Sequence, residues 1–238
     1  MMRHKRIFLS LLVIAALILP GGAAATVYDL KTDWQDNHNP NGLWSYNQGN
    51  TPLPWISVFY IADNQPAYSW VQWPGYGHTP IWLKAVVDNS LGLDVDLGDV
   101  AVHGTDPYNT LGSGQGNVTW TSPVAGTATI SGNVWFAGSL GRSVDWFLYQ
   151  NATLLASGRV WDGDPWNRDN PFDFGTLNRT LAAGDVIWFQ AQATAGSVAH
   201  FVGVNLTIDA VPIPLPPAVW LLGSGLAGLL GLRKLAAR

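Results

Sequence analysis

The 238-residue chain contains no cysteine and no glutamate. Without cysteine it has no disulfide framework, no thiolate zinc site and no cysteine nucleophile. Without glutamate, every acidic side chain is one of 16 aspartates. Positive charge is scarce too: there are 12 Lys and Arg, and half of them sit in the two ends. The stretch 26–210 carries six basic against 16 acidic residues, a net of −10. It lacks the clustered Lys and Arg that duplex nucleic acid requires, so nucleic acid is excluded as a partner. Long apolar runs are absent except at the termini, and between them no segment keeps a helical period. What the middle does have is tryptophan, 12 of the 13 in the chain. The length suits one large domain or two small ones and is ample for a buried core.

The N-terminal residues 1–25 open with Arg3, His4, Lys5 and Arg6. An almost unbroken apolar run from Ile7 to Leu19 follows, then Pro20-Gly21-Gly22 and the small residues Ala23-Ala24-Ala25. This is the order of a secretory signal peptide, and the run is short for a membrane span. The expectation is a signal helix, export through the Sec translocon, and removal by signal peptidase near Ala25.

The C-terminal residues 211–238 begin with a proline box of Pro212, Pro214, Pro216 and Pro217. Ala218 to Leu232 is uncharged and apolar apart from Ser224, and Arg233, Lys234 and Arg238 close the chain. Fifteen helical residues rise about 22 Å, against a hydrocarbon core of roughly 30 Å. With Leu215 to Pro217 included and Arg233 and Lys234 snorkelling, a marginal transmembrane helix over about 216–233 results. In an exported chain the basic end would stay cytoplasmic, as the positive-inside rule requires.

This tail resembles the PEP-CTERM sorting signal. The matching residues are Val211, Pro212 and Pro214, then Trp220-Leu221-Leu222-Gly223-Ser224-Gly225-Leu226, then Arg233-Lys234. The resemblance covers 28 residues. It implies an exosortase-type membrane protease as partner and a Gram-negative, exopolysaccharide-producing host. It also implies transient residence in the inner membrane before delivery to the cell surface or extracellular matrix. The acidic residue usual between the prolines is Ile213 here, which leaves open which sorting enzyme reads the tail. A plain single-span anchor would not need the proline box, and a GPI signal does not normally end in a basic cluster.

The body reads as β-structure. Thr127 to Phe136 places Ala128, Ile130, Gly132, Val134 and Phe136 on one face. Val144, Trp146 and Leu148 alternate with Asp145, Phe147 and Tyr149. His200, Val202, Val204, Leu206 and Ile208 alternate with Phe201, Gly203, Asn205 and Thr207. Each pattern turns one face to a core and one to water. Asn151-Ala152 predicts a hairpin between a strand ending at Gln150 and one starting near Thr153. The predicted fold is all-β, a single antiparallel β-sandwich or jelly roll over 26–210, flanked by the signal helix and the C-terminal transmembrane helix. Segments from Gly98-Asp99-Val100 to Leu181-Ala182-Ala183-Gly184-Asp185 resemble a β-sandwich domain recurrent in secreted proteins of such bacteria. Asn39-Pro40-Asn41-Gly42-x-Trp44-Ser45-Tyr46 resembles an opening seen there, which would add a pair of strands.

The candidate chemistry is thin. Asp162 and Asp164 flank Gly163 and could serve as a hydrolase pair, though short Asp in such a loop is ordinary turn chemistry. No G-x-S-x-G is present, and Ala137-Gly138-Ser139-Leu140-Gly141 reads as a loop. His38, His78, His103 and His200 have no zinc spacing. No cofactor is implied; calcium is the one metal the oxygen-rich clusters would take, with Asp162, Asp164 and Asp169 as ligands, or Asp94, Asp96 and Asp99. The loop aromatics Trp73, Tyr76, Trp161 and Trp166 are the candidate ligand-binding residues, because exposed aromatic faces and nearby Asp and Asn suit sugar rings. Trp120, Trp135, Trp146 and Trp188 sit inside strand patterns and are expected in the core. The sequence reading is therefore a non-enzymatic exported envelope or matrix protein whose sandwich makes structural or adhesive contacts, with extracellular polysaccharide as the expected contact. A matrix polysaccharide hydrolase using an Asp pair and a self-assembling structural subunit remain as alternatives.

Overall fold

Alternating apolar residues broken by Gly, Pro and Asn build strands whose one face can be buried and whose ends are set by turns. The computed structural model describes residues 24–72 and 79–213. Its strands are β1 (Thr26–Asp29), β2 (Trp44–Gln48), β3 (Thr51–Pro52), β4 (Trp55–Tyr60), β5 (Gln65–Tyr68), β6 (Ile81–Lys84), β7 (Val100–His103) and β8 (Gly116–Thr121). There follow β9 (Gly126–Phe136), β10 (Ser143–Gln150), β11 (Thr153–Trp161), β12 (Phe172–Asp173), β13 (Leu177–Leu181), β14 (Val186–Ala193) and β15 (Phe201–Pro212). Among the described residues the one helical element is a 3-10 turn at Ser90–Gly92.

The strands form two antiparallel sheets. The larger has the order β12-β9-β15-β7-β6-β5-β4, with β1 also on β15 and β13 also on β9. The smaller has the order β11-β10-β14-β8-β2-β3. The all-β sandwich expected from the sequence is what forms, and Thr26–Ala210 makes one compact unit. The signal helix and the transmembrane helix were assigned to residues 1–25 and about 216–233. These lie outside the described residues, apart from Ala24 and Ala25. Val211 and Pro212, read from the sequence as the start of the tail, continue β15.

The predicted hairpin is present: Gln150 pairs with Thr153 across Asn151, whose φ of 52° is the left-handed conformation Asn tolerates. The segment around Trp44 does not stand apart. β2 pairs with β8, Trp44 opposite Trp120, and so joins the smaller sheet.

Two cores follow from the alternation. Between the sheets, Ile130, Val134, Val202, Val204 and Ile208 meet Val118, Trp120, Trp146, Leu148 and Phe189, all buried. On the opposite side of the larger sheet, Ile81, Leu83, Ala101, Trp135 and Phe201 are covered by Leu93 and Val95 of the loop before β7. Trp135 donates from Nε1 to the Asp94 carbonyl at 2.8 Å. Its ring lies so flat on β15 that a Cβ on Gly203 would fall 2.0 Å from it. Asp99 secures the loop: it is buried and accepts from Lys31 Nζ at 2.8 Å and Arg168 Nε at 2.6 Å. Burial alone would push its carboxyl up, but the Lys31 ammonium and the Arg168 guanidinium hold it below the usual range.

Candidate functional site

The smaller sheet packs one face on the core, and the residues of its other face, half-buried along β10 and β14 but buried at Asn47 and Asn117, can be read from the register. Along β10 they are Ser143, Asp145, Phe147 and Tyr149, and along β14 Trp188, Gln190 and Gln192, all half-buried. Tyr149 stands opposite Trp188, Phe147 opposite Gln190, and Asp145 opposite Gln192. Trp188 continues to Thr119 of β8 and Ser45 of β2, and Gln190 to Asn117 and Asn47. On β11 the same face holds Ser157, Arg159 and Trp161.

The Tyr149 and Trp188 rings stack 4.2 Å apart at 14°. That spacing is close to the roughly 4.8 Å between strands, so the rings stand upright on the sheet, side by side. Phe147 continues the row, 6.1 Å from Tyr149 at 26°. Trp188 is pinned by its Nε1, which donates to the Asn151 carbonyl at 2.8 Å. One indole face is covered by Tyr149; the other turns toward β8, where the floor is the small side chain of Thr119 and, beyond it, Ser45. The result is an aromatic wall beside a low polar strip.

The strip is organised by its own hydrogen bonds. Ser45 Oγ donates to Asn47 Oδ1 at 2.6 Å, and Asn47 Nδ2 reaches Asn117 Oδ1 at 3.3 Å. Gln190 Nε2 donates to Gln192 Oε1 at 3.0 Å, which orients both amides. The outward positions of β10 and β14 with their partners on β11, β8 and β2 carry two charges, Asp145 and Arg159, which pair at 2.7 Å. The face is therefore neutral although the body is strongly acidic. Such a surface offers apolar C–H contact along one side and amide and hydroxyl partners along the other.

The loop residues favoured by the sequence fare differently. Trp161 is 44% exposed at the end of β11, on the same face. Trp166 packs against the core, edge-on to Phe172 at 5.2 Å, and its carbonyl accepts from Phe136 N at 3.0 Å. It is a structural residue. Trp73 and Tyr76 lie outside the described residues. Trp120, Trp135 and Trp146 are buried as expected, but Trp188 is not a core residue. It shares its phase with Gln190 and Gln192, and this polar phase was the signal that the wall would face outward.

The calcium assignment needs correction. Among the described residues no three His or Asp side chains converge on a cation position. Asp164 accepts from the amides of Trp161 at 2.7 Å and Trp166 at 2.8 Å, and Asp162 accepts from Gly141 N at 2.8 Å. Asp164 thus closes its own turn, and Asp162 ties that turn to the loop between β9 and β10. Asp94, Asp96 and Asp99 are likewise engaged, each meeting Arg168.

Two histidines far apart in sequence do meet. His103 and His200 stack 5.8 Å apart beside Phe136 and Phe201. Burial pushes both imidazoles down to about 4, helped for His200 by His103 and Arg142. His103 is buried and His200 half-buried, and burial favours the neutral form of both.

No family model and no curated protein matches the chain. Among solved structures the chain is similar to the CBM22-1 xylan-binding domain from Paenibacillus barcinonensis, at 10% identity over 81% of this chain and 99% of that one, with a TM-score of 0.34. It is similar to the K1 cleaved adhesin domain of Lys-gingipain from Porphyromonas gingivalis, at 11% identity over 80% and 99%, TM-score 0.33. It is also similar to a family 35 carbohydrate binding module from Clostridium thermocellum, at 14% identity over 47% and 78%, TM-score 0.27.

Proposed function

We propose that this is an exported, non-catalytic protein of the cell surface or extracellular matrix that binds a neutral polysaccharide on the outer face of its smaller sheet. The observation that carries this reading is the half-buried Trp188, stacked on Tyr149, beside the strip of Ser45, Thr119, Gln190 and Gln192, on a surface whose two charges cancel. A sugar ring can lay its C–H face on the indole while its hydroxyls exchange hydrogen bonds with the amides. From Tyr149 to Ser143, the partner of Trp161, the face spans seven residues, about 20 Å, along β10. That length suits several rings of a chain rather than one. Affinity electrophoresis of the purified full-length chain tests it: retardation in gels containing neutral glucans or xylans, relative to plain gels, is expected. Equal mobility in all of them overturns the proposal.

Delivery belongs to the same reading. The ends carry it: residues 1–25 direct export, and the tail with Val211, Pro212, Pro214, Arg233 and Lys234 directs PEP-CTERM-type sorting by an exosortase. Deleting residues 214–238 spares β15, so the sandwich should still fold. Fractionation of the host is then expected to show loss of the protein from the cell surface or matrix. Unchanged surface delivery would refute the role of the tail.

A further inference from the structure

A second binding position lies away from the sheet face. A cavity of about 380 Å³ opens between the segment after β1, the end of β6 and the loop before β7, lined by Trp34, Asp36, Lys84, Val86 and Leu97. This is at the small end of ligand pockets and holds one ring rather than a chain. We propose that it binds a single sugar ring bearing a carboxylate, a uronic acid, with Lys84 as the carboxylate partner and Asp36 as the hydroxyl acceptor.

The charges around the cavity single out Lys84. Its neighbours Lys31 and Arg168 are both taken up by Asp99, and Arg168 also by Asp96. Lys84 instead donates to a neutral group, the Lys31 carbonyl, at 2.7 Å, and among the described residues it forms no ion pair. An ammonium has three donors. Two remain for a ligand, and Lys84 is the cation lining the cavity. Asp36 is fixed by Trp34, whose Nε1 donates to its Oδ1 at 2.9 Å. Its other oxygen can accept from hydroxyls. Trp34 itself is held against Tyr46 and Tyr68, at 4.4 and 5.3 Å between ring centroids. Leu97, also in the lining, is 65% exposed on a backbone held by Asp88, which accepts from its amide at 2.8 Å.

The three parts select the ligand class together. A neutral hexose leaves Lys84 without an anion. Acetate offers no hydroxyls to Asp36 and too little volume. Inorganic phosphate presents no C–H face to Val86 and the exposed Leu97. A hexuronate satisfies all three, and its chemistry differs from that of the neutral chain proposed for the sheet face.

The test is a calorimetric titration of the purified full-length chain with sodium glucuronate, glucose and sodium acetate. Saturable glucuronate binding is expected, with glucose and acetate at least tenfold weaker. Lys84→Gln should weaken glucuronate about 10- to 100-fold, the range of a hydrogen bond to a charged group. Lys84→Arg should retain more of the affinity, and Trp188→Ala should bind glucuronate like the parent. Absence of saturation by glucuronate, equal binding of glucose, or unchanged binding by a folded Lys84→Gln overturns the proposal. Should Lys84→Gln fail to fold, the ranking of the three probes on the parent chain decides it. Neutral polysaccharide retention depends on the sheet face, so the two proposals fail separately.

Discussion

Trp188→Ala is expected to weaken retention by a neutral polysaccharide at least tenfold while the sandwich stays folded. The magnitude follows from area. A sugar resting on one indole face removes on the order of 80 Å² of apolar surface from water, which at about 25 cal/mol per Å² is about 2 kcal/mol, or roughly 30-fold in affinity. The substitution leaves the core intact because Trp188 points away from it. What it loses internally is the stack on Tyr149 and the hydrogen bond to the Asn151 carbonyl, together of order 1–2 kcal/mol. Trp166→Ala supplies the contrast. That side chain packs on Phe172 and the core, so its loss should lower the melting temperature and leave the retention of the folded fraction unchanged. If Trp166→Ala abolished retention of the folded fraction and Trp188→Ala did not, the binding surface would be the loops that the sequence first pointed to.

The contrast also marks where the sequence was legible. Ser143–Gln150, which alternates strictly, and most of Gly126–Phe136 could be read directly, because a period of two has one meaning once Gly and Asn set the ends; Trp135, on the side expected to face water, is buried in the second core instead. The aromatic wall was legible in part. Phe147 and Tyr149 share the phase of Asp145, and Trp188 that of Gln190, so bulky rings on a polar phase were visible before any pairing was known. That Tyr149 would meet Trp188 was not visible, since strand order is decided by packing across long stretches of chain. The same holds for β2, which finds β8 more than 70 residues later, Trp44 beside Trp120. The loop before β7 hid its role for a different reason. Leu93 and Val95 cover the second core without any period, and Asp99 reads as one more turn carboxylate until Lys31 and Arg168 converge on it. The cavity at Lys84 draws on three separate segments, so no local pattern announces it.

Acidification is expected to destabilise the sandwich steeply between about pH 6.5 and about pH 4, above the range in which most carboxylates titrate. The cause is the His103 and His200 pair. Both imidazoles are pushed down to about 4, first by burial, and for His200 also by His103 and Arg142. A group with a lowered folded value stays neutral in the fold while the unfolded chain takes up the proton below about 6.5. The unfolded state then binds more protons, and stability falls as pH falls through that window. For His103, lowering from the ordinary 6.5 to about 4 corresponds to roughly 3 kcal/mol, with the half-buried His200 adding less. At a few degrees per kcal/mol for a domain of this size, the melting temperature should drop by about 10 °C or more from pH 7 to pH 4.5. The surroundings offer little relief. His103 Nδ1 lies 2.8 Å from the Gly104 carbonyl, Phe136 and Phe201 close the apolar sides, and Arg142 adds a like charge. Asp162 favours the charged form of His200 only as the last of the contributions. Asp106, whose carboxyl burial pushes up, acts the other way at the acid end, since its folded form takes the proton first. Asp99 is held low, so its salt bridges persist across the window and give way only at lower pH. Thermal melts of the parent and of His103→Gln across pH 4.5 to 7 decide the matter. The parent should show the drop, and the variant, whatever its melting temperature at pH 7, should show a shallower slope. A flat profile in the parent would mean that the two imidazoles titrate in the fold as they do in water.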